Sequence, residues 1–321
     1  MRQNKDDHDK YDKMVELLKE TKKRKMNILH NGIIHTIAVV IALISTLVLA
    51  EQPAFSQPES AYFYTSSSTD SGVYFISSTN GNEMGWISKL AADGSMIESR
   101  WATDLQNPMG MRVSGKRLWI NNTTEIVGLN LDNPNDRIVH PIDGAISLND
   151  LATDSSGHAY VSDSMNSRVV RVDLATGENS TYISTLPSSP NGVLIQGDRL
   201  YIASWGVMSD RPEERAEWIT KTAGDLYWVS LKDEKKSRHI MAPELGNLDG
   251  VEIDQQGNIY VSDWESGKLY KMSSGTKTVI SLGQYGQGLA DIGLNSLTGE
   301  LVLPVMLSSE VLFFTPSPEL E

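Results

Sequence analysis

The sequence predicts an all-β fold, a six-bladed β-propeller with four-stranded antiparallel blades. The first observation behind this prediction is a repeated phrase, in which a short polar or glycine-containing turn leads into alternating apolar residues and then an aromatic-aliphatic strand. Its clearest copies span 148–163 and 248–263, and three further copies begin at Pro108, Pro190 and Leu289. A repeat of about 40 residues with several strands per unit is typical of a β-propeller.

The spacing of the copies indicates six units. The residues at the middle of the five opening turns are Met109, Asn149, Asn191, Asp249 and Ala290. These positions are 40, 42, 58 and 41 residues apart, which is close to the length of one blade except in the fourth unit. A further unit of four strand-like segments fits upstream, and its Pro-Glu-Ser turn adds Glu59 as the sixth opening residue.

Within each unit the apolar residues alternate with period two, as half-buried antiparallel strands require. In the fifth unit this pattern predicts strands at 251–254, 258–263, 268–272 and 278–282. The sixth unit ends after three strands, and we expect 51–56 to supply its missing outer strand and remove an exposed edge. The longer fourth unit contains a charged excursion at 207–222, which we expect to lie over one face.

The N-terminal region is typical of an export segment. A basic cluster at 22–25 precedes an uncharged apolar run of 18 residues, 33–50, and small residues follow it. This order predicts a secretory signal, although such a run is also long enough to span a bilayer as an uncleaved anchor. The chain therefore divides into a charged tail at 1–32, a signal or anchor region at 33–56 and a propeller at 57–321. The propeller is expected in the periplasm or outside the cell, with membrane contact only through the N-terminal segment.

Composition and charge exclude several classes of function. Residues 1–50 contain nine Lys and Arg against six Asp and Glu, which leaves 19 basic and 35 acidic residues from position 51 onward. A net charge near −16 on that part argues against nucleic acids and anionic membranes as partners. The chain has no cysteine, so disulfides, thiol nucleophiles and Cys-bound zinc are excluded. No P-loop supports nucleotide binding.

The opening residues of the blades are the candidate functional site. The innermost strands of a propeller surround its central channel, so their first residues should converge on one mouth of that channel. Glu59, Asn149, Asn191 and Asp249 would then face one another as two carboxylates and two amides. Oxygen ligands suit a hard divalent cation, with Ca²⁺ expected here and Mg²⁺, Mn²⁺ or Zn²⁺ as alternatives. Met109 cannot bind the ion and would line an apolar wall.

Neighbouring residues extend this candidate site. The end of the second strand of a hairpin lies beside the start of the first, so Asp163, Trp205 and Asp263 should share a face with the opening residues. We assign these three, together with Asp150 and Met109, to the surroundings of a substrate. The alternative is structural, because Asn-Gly and Asp-Gly are ordinary turn formers, Ser-Asp can cap a turn, and a tryptophan can be core packing.

At the opening residues the chain resembles the SMP-30/gluconolactonase/LRE-like family of six-bladed propellers, also termed regucalcin-like, over about residues 57–315. In that family a Glu of the first blade, two Asn of middle blades and an Asp in a Leu-Asp-Gly or Pro-Asp-Gly turn hold one divalent cation. The resemblance implies these roles for Glu59 in Pro-Glu-Ser, Asn149 in Leu-Asn-Asp, Asn191 in Pro-Asn-Gly and Asp249 in Leu-Asp-Gly. Ser60-Ala61 follows the Glu here, whereas the family usually has Gly-Pro.

The function expected from these residues and from the resemblance is hydrolysis of a small-molecule lactone or ester. The cation would polarise the carbonyl group and stabilise the developing oxyanion. Asp249 is the candidate catalytic residue, either as the base that activates water or as the nucleophile. Asn149 and Asn191 would position the ion and the substrate, and Asp163 or Asp263 would orient water.

The alternative function is that of an exported, non-enzymatic binding or scaffold propeller with a structural cation or none, because a propeller fold alone does not determine activity. The channel mouth distinguishes the two hypotheses. Oxygens converging around an open, partly apolar cavity favour an enzyme, whereas a mouth plugged by the excursion at 207–222 favours a binding or structural role.

Overall fold

The computed structural model describes residues 54–316 apart from residues 68, 82, 185, 234 and 277. The described residues belong to one compact unit, and residues 1–53 lie outside the described part of the chain. The predicted charged tail at 1–32 and the apolar run at 33–50 therefore fall outside the described part of the chain. Of the helices within that described part, none is long and apolar enough to cross a membrane.

The predicted all-β, six-bladed propeller is confirmed, and in every blade each strand pairs antiparallel with the next strand along the chain. Blade one consists of β1 (Pro58–Tyr64), β2 (Val73–Ser78), β3 (Gly85–Ala91) and β4 (Met96–Leu105). Blade two consists of β5 (Pro108–Ser114), β6 (Arg117–Asn122), β7 (Glu125–Asn130) and β8 (Arg137–Pro141). Blade three consists of β9 (Leu148–Thr153), β10 (His158–Asp163), β11 (Arg168–Asp173) and β12 (Asn179–Ile183).

The second half of the ring contains the longest strands and the only α-helix of the described residues. Blade four consists of β13 (Ser189–Gln196), β14 (Arg199–Met208), β15 (Thr220–Ser230) and β16 (Arg238–Gly246), with α1 (Pro212–Ala216) between β14 and β15. Blade five consists of β17 (Leu248–Ile253), β18 (Ile259–Asp263), β19 (Lys268–Met272) and β20 (Val279–Gln284). Blade six consists of β21 (Gly293–Leu294), β22 (Leu301–Val305) and β23 (Glu310–Phe314). Short 3-10 helices span Ser164–Asn166 and Met306–Ser308.

Blade six has three strands in the described structure, as its sequence predicts, but 54–56 do not complete it as an outer strand. These residues run along blade one instead. Ser88 Oγ donates a hydrogen bond to Ala54 O at 3.2 Å, and Asn80 N donates to Ser56 O at 3.2 Å. The rest of the segment assigned to that strand, 51–53, lies outside the described residues. These hydrogen bonds hold 54–56 on blade one, so this part of the segment that was predicted to cover the open edge of blade six does not do so.

Blades one and six close the ring through backbone hydrogen bonds between their inner strands. Asp291 N donates to Glu59 O at 2.8 Å, and Ala61 N donates to Asp291 O at 3.1 Å. Closure places the first and last blades side by side and leaves no inner strand at an open edge.

Six apolar clusters fill the spaces between successive blades. The period-two alternation explains how one strand serves two of them, because successive side chains point to opposite faces of a sheet. On β2, Phe75 packs into the cluster shared with blade two, whereas Tyr74 and Ile76 pack into the cluster shared with blade six. The second strand of each of blades one to five, counted from the channel, is thus buried on both faces, whereas outer strands such as β4 and β20 are largely exposed or half-buried.

Each inner strand in blades one to five begins with a β-bulge. In blade one, Pro58 pairs with Ser78 and the next pair is Ala61 with Ile76, so β1 has two residues opposite one residue of β2. The same extra residue occurs in the next four blades. The bulged pairs are Glu59-Ser60, Met109-Gly110, Asn149-Asp150, Asn191-Gly192 and Asp249-Gly250. A bulge redirects side chains, and here the first residue of every pair lines the channel mouth.

A serine of the second strand satisfies the bulged backbone and ties it to the next blade. Ser162 Oγ accepts a hydrogen bond from Asp150 N at 2.9 Å and donates one to Asn191 O at 2.7 Å. Ser262 links blade five to blade six in the same way, with Ala290 O as its acceptor at 2.8 Å. The two identical Tyr-Val-Ser-Asp segments thus fix the relative positions of neighbouring inner strands.

The second residue of a bulged pair lies where neighbouring inner strands nearly touch. A Cβ atom on Gly192 would lie 2.0 Å from the backbone oxygen of Asp249, and one on Gly110 would lie 2.2 Å from Asp150 Oδ1. Both distances are shorter than van der Waals contact. The glycine of Asn191-Gly192 is therefore required by close packing inside a strand and not by a tight turn.

We expect Gly192→Ala to lower the free energy of unfolding by about 3 kcal/mol or more, because the added methyl group meets rigid backbone. The matched control is Gly197→Ala. Gly197 has a positive φ of 62° but open space around it, so its replacement should cost about 1 kcal/mol. Urea denaturation of the two variants measures the difference, and equal losses would contradict the crowding of the inner strands.

Candidate functional site

The bulges bring oxygen atoms from four blades into one cavity. Glu59 of blade one, Asn149 of blade three, Asn191 of blade four and Asp249 of blade five, here termed the oxygen ring, line it together with Met109 of blade two. This mouth cavity has a volume of about 690 Å³. The four oxygen-ring residues are only 2–7% exposed, so their polar groups are almost completely removed from bulk water.

Most oxygens of this ring have no hydrogen-bond partner. Both carboxylate oxygens of Glu59 and the Oδ1 atoms of Asn149, Asn191 and Asp249 are buried and accept no hydrogen bond within the described structure. Each unsatisfied buried oxygen costs about 1–3 kcal/mol, and a charged one costs more. Native proteins leave few such groups, so several around one cavity point to a shared ligand.

The two carboxyl groups of the ring resist ionisation. Burial, followed by repulsion from Asp150 and Asp263, raises the pKa of Asp249 from its ordinary value of 3.8 to about 8. Burial, followed by the negative charges of Asp249 and Asp291, also raises the pKa of Glu59 well above its usual range. A bound cation would reverse this effect by stabilising the charged forms.

A second layer of polar residues lies directly behind the ring. Asp150 accepts hydrogen bonds from Leu151 N at 2.6 Å and from Val193 N at 2.7 Å, and so joins the strands that carry Asn149 and Asn191. In the same layer Ser60 Oγ donates to Asp291 Oδ2 at 2.6 Å, which joins blades one and six. Asp150 is therefore a positioning residue in this structure, and it does not line the mouth cavity formed by the described residues.

An ion pair crosses the channel further along. Arg112 on blade two lies 3.3 Å from Glu252 on blade five; the arginine side chain is buried and that of Glu252 is 12% exposed. Arg112 also donates to Met111 O at 2.7 Å. Burial outweighs the attraction of Arg112 and raises the pKa of Glu252 to about 7. Among the described residues, Arg112 is the one cation whose charge acts on Asp150, Glu252 and Asp291. Acidic groups therefore outnumber basic ones in the channel.

The oxygen ring could hold a hard cation. Among the described residues, no three His, Cys, Asp or Glu side chains are grouped as a metal site. The ring differs from such a group because it combines two carboxylates with two amide carbonyls. Ca²⁺ accepts this mixture of oxygen ligands and can keep further positions for water or substrate. The unsatisfied oxygens are the atoms such an ion would contact.

The excursion predicted at 207–222 forms one wall of the mouth cavity and leaves the cavity open. It consists of the end of β14, the helix α1 and the start of β15, and its residues 217–220 line the cavity. Asn247 holds it in place, because its Nδ2 donates to Trp205 O at 2.8 Å and to Thr220 Oγ1 at 3.3 Å.

Three tryptophans line this side of the mouth cavity, and together they are termed the tryptophan wall. The ring centroids of Trp205 and Trp218 are 5.9 Å apart, and those of Trp205 and Trp264 are 5.7 Å apart. Trp205 Nε1 donates to Trp218 O at 2.9 Å, which fixes the central ring. Trp205, predicted from the sequence as a candidate substrate contact, thus lies in the cavity, as does Met109.

Asp163 and Asp263 lie outside the described lining of the mouth cavity and stabilise local backbone. Asp163 accepts hydrogen bonds from Ser147 N at 3.2 Å and from Arg168 Nε at 2.8 Å. Asp263 accepts from Ser266 Oγ at 2.7 Å. Their bonds correspond to the capping role that the sequence leaves open for Ser-Asp, although the charge of Asp263 still acts on Asp249.

Sequence reasoning did not identify Trp218, Trp264, Arg112, Glu252 or Asp291 as parts of the channel. A signal existed for Trp264, which stands four residues after Tyr260 just as Trp205 stands four residues after Tyr201. The repeat register could have indicated Asp291, which follows the opening residue Ala290 as Asp150 follows Asn149. Trp218 has no such signal, because the fold of the excursion alone brings it back to the mouth.

No family model matches the chain, and no curated protein matches its sequence. Solved structures share its fold. A crystal structure of a nidogen/laminin complex aligns with a TM-score of 0.55 and 13% identity over 76% of this chain and 93% of that one. A streptogramin B lyase aligns with a TM-score of 0.53 and 12% identity over 78% and 76% of the two chains.

A third similar structure is a catalytically inactive virginiamycin B lyase from Staphylococcus aureus with quinupristin, at a TM-score of 0.53 and 11% identity over 79% of this chain and 80% of that one. At identities this low, the similarity to all three structures shows the propeller fold alone. The chemistry of the mouth cavity has to be argued from its own residues.

In chelator-treated protein we expect the melting temperature to fall as the pH rises from about 4 to about 8. The pKa of Asp249 rises to about 8 in the folded protein, and that of Glu252 rises to about 7, so the folded state binds more protons than the unfolded state in this window. The stability that these two protonated carboxyl groups contribute to the folded state is fully present below their ordinary pKa values. It is lost as the pH rises past about 7 for Glu252 and about 8 for Asp249. Scanning calorimetry measures the trend, which should flatten in Asp249→Asn; a melting temperature that increases over this range would contradict it.

Proposed function

We propose that this chain is an exported, metal-dependent hydrolase of the SMP-30/gluconolactonase type, which opens a lactone or small ester in the mouth cavity. The observation that carries the proposal is the oxygen ring, whose buried oxygens lack hydrogen-bond partners in the described structure and line one cavity. The sequence resembles that family at the same four residues.

The residues fit a single divalent cation, with Ca²⁺ proposed first. Glu59 and Asp249 would supply two negative charges, and Asn149 and Asn191 would supply carbonyl oxygens. When bound, the ion would act as a Lewis acid toward the carbonyl oxygen of the substrate and stabilise negative charge on it. Asp150 would keep the two asparagines in register, since its carboxylate joins the strands that carry them.

Asp249 is proposed to act on the reaction itself. The residue lines the cavity, and its buried Oδ1, which has no hydrogen-bond partner in the described structure, would contact the ion, so its second oxygen, Oδ2, would meet water or substrate. As a base it would take a proton from the attacking water. As a nucleophile it would form an acyl-aspartate that water then cleaves. Rapid-quench mass spectrometry during turnover separates the two routes, because only the second attaches the acyl group of the substrate to Asp249 until water cleaves it off as the acid.

The open mouth supports the hydrolase over the scaffold alternative. The excursion at 207–222 forms a wall and does not fill the cavity, which retains about 690 Å³ beside the oxygen ring. Cavities of this size are typical of small-molecule sites. A purely structural cation would not need this space.

We expect the full chain to hydrolyse members of a panel of δ-valerolactone, dihydrocoumarin and phenyl acetate, and to lose this activity in chelator until Ca²⁺ is added back. Asp249→Asn should lower kcat/KM by about 1,000-fold, since it removes both a ligand and the base. Asp132→Asn is the matched control, because Asp132 is exposed and is not among the described residues that line the cavity. Activity that survives both chelation and Asp249→Asn would contradict the proposal.

Export is proposed from the basic cluster at 22–25 and the apolar run at 33–50. Fractionation of the native host should find the chain outside the cytoplasm or bound to its membrane. N-terminal sequencing should then find a start after residue 50 if the segment is a signal, and an intact N-terminus if it is an anchor. An intact chain recovered in the cytosol would contradict export.

A further inference from the structure

The charge of the mouth cavity is one-sided. The charged residues that line it are Glu59, Asp249, Glu217 and Glu265, and no Lys, Arg or His is found among its described lining residues. Glu59 and Asp249 belong to the oxygen ring. Glu217 and Glu265 are exposed at the rim, where they meet any incoming molecule.

The remaining lining of the cavity is largely aromatic and apolar. The tryptophan wall presents three indole rings, and Met109, Ile219 and Met306 add apolar surface beside it. Trp205 is only 8% exposed, whereas Trp218 and Trp264 are half-buried and leave ring surface open to the cavity. Indole rings attract flat aromatic groups and also cations, because their faces carry negative partial charge.

The backbone supports a specific role for Trp218. Its φ is 58°, a left-handed conformation that costs a bulky residue roughly 1–2 kcal/mol. A hydrogen bond from Ile219 N to Glu214 O at 2.9 Å helps to hold this conformation. Unfavourable backbone geometry beside a cavity is a recognised mark of functional positions, and here it places an indole on the Trp205 ring at the mouth.

We propose that the mouth cavity selects substrates with a flat aromatic part and without a negative charge. This inference rests on the proposed hydrolase function and names the substrate class of that site. An aromatic ring would stack on the tryptophan wall while its ester or lactone group reaches the oxygen ring. An anionic substrate would approach Glu217 and Glu265 without a basic residue to offset the repulsion, and sugar acids and phosphates are therefore disfavoured.

The overall charge acts in the same direction. The part of the chain from position 51 onward carries a net charge near −16, and a cleft lined by one sign of charge concentrates that field. Neutral and cationic molecules therefore enter the mouth more readily than anions of the same shape. Raising the salt concentration should narrow the difference, because salt screens charges at the exposed rim.

Three aryl acetates that share one ring and differ in the charge of the para substituent test the selection in the full chain with Ca²⁺ present, each rate being divided by that of the uncatalysed hydrolysis: phenyl acetate, the cationic 4-(trimethylammonio)phenyl acetate and the anionic 4-acetoxybenzoate. We expect kcat/KM for the anion to be at least about tenfold below that of the neutral ester, because like charges meet at the rim. The cation should match or exceed the neutral ester. An anionic ester that reacts as well as the neutral one would overturn the proposal.

The matching acetanilides test binding without turnover, through quenching of tryptophan fluorescence. Acetanilide and its cationic derivative should bind more tightly than 4-acetamidobenzoate by a similar factor. This arm separates the two proposals. Selective binding of the amides without any ester hydrolysis would contradict the hydrolase function but support the preference for neutral or cationic aromatic ligands. Hydrolysis without charge or ring selectivity would support the hydrolase function and overturn that preference.

Matched variants locate the effect. Trp218→Leu should weaken binding of acetanilide about fivefold or more, because it removes a stacking surface. Trp228→Leu is its control, since Trp228 stacks on His239 at a centroid distance of 3.9 Å and does not line the described cavity. Glu217→Lys should raise kcat/KM for 4-acetoxybenzoate, whereas Glu213→Lys on α1 should not. Equal effects of the members of either pair would overturn the assignment.

Discussion

The rest of the structure depends on the bulge at the start of the inner strand in blades one to five. Six inner strands approach one another so closely around the channel that the second residue of a bulge has little room, as the 2.0 Å clash of a Cβ on Gly192 shows. The first residue is turned toward the mouth by the same bulge. One backbone feature, repeated around the ring, therefore sets both the crowding of the channel and the direction of its functional side chains.

The side-chain directions set by the bulges bring several acidic groups together in the channel, where burial and mutual repulsion disfavour their charged forms. In the described structure the channel contains five carboxyl groups that are largely removed from water, together with one arginine, Arg112. The carboxyl groups are those of Glu59, Asp150, Asp249, Glu252 and Asp291. Three of the carboxyl groups obtain partners within the described protein, namely backbone amides for Asp150, a serine for Asp291 and Arg112 for Glu252. The oxygens of the ring at the mouth do not. A cation is the simplest ligand that offsets their burial, since a lone buried carboxylate is among the most unfavourable groups in a protein.

Much of this arrangement follows from the sequence, because the repeat register alone aligned the first bulge residues and placed Glu59, Asn149, Asn191 and Asp249 at one mouth. The register did not reveal why glycine follows Asn191 and Asp249. A turn and a crowded strand both favour glycine, and only the distance to the neighbouring blade distinguishes them. The sequence also left the role of Asp163 open, since a capping carboxylate and a site carboxylate have the same one-dimensional pattern.

Other parts of the site depend on contacts between residues distant in sequence. Trp218 reaches the mouth through the path of a hairpin whose length and helix have no counterpart in the other blades. Arg112 and Glu252 meet across the channel. Period-two patterning shows which face of its strand each residue lies on, but it does not show which residue of another blade it contacts. The segment before blade one follows local hydrogen bonds to Asn80 and Ser88 rather than the need of blade six for a fourth strand.

The most direct test of the central claim is calorimetric titration of Ca²⁺, and then of Mg²⁺, Mn²⁺ and Zn²⁺, into the chelator-treated full chain. The expected result is one ion bound per chain, with Ca²⁺ the tightest and with weaker binding in Glu59→Gln. Absence of binding for all four cations would contradict the oxygen ring as a metal site and would leave its unpaired oxygens without a ligand.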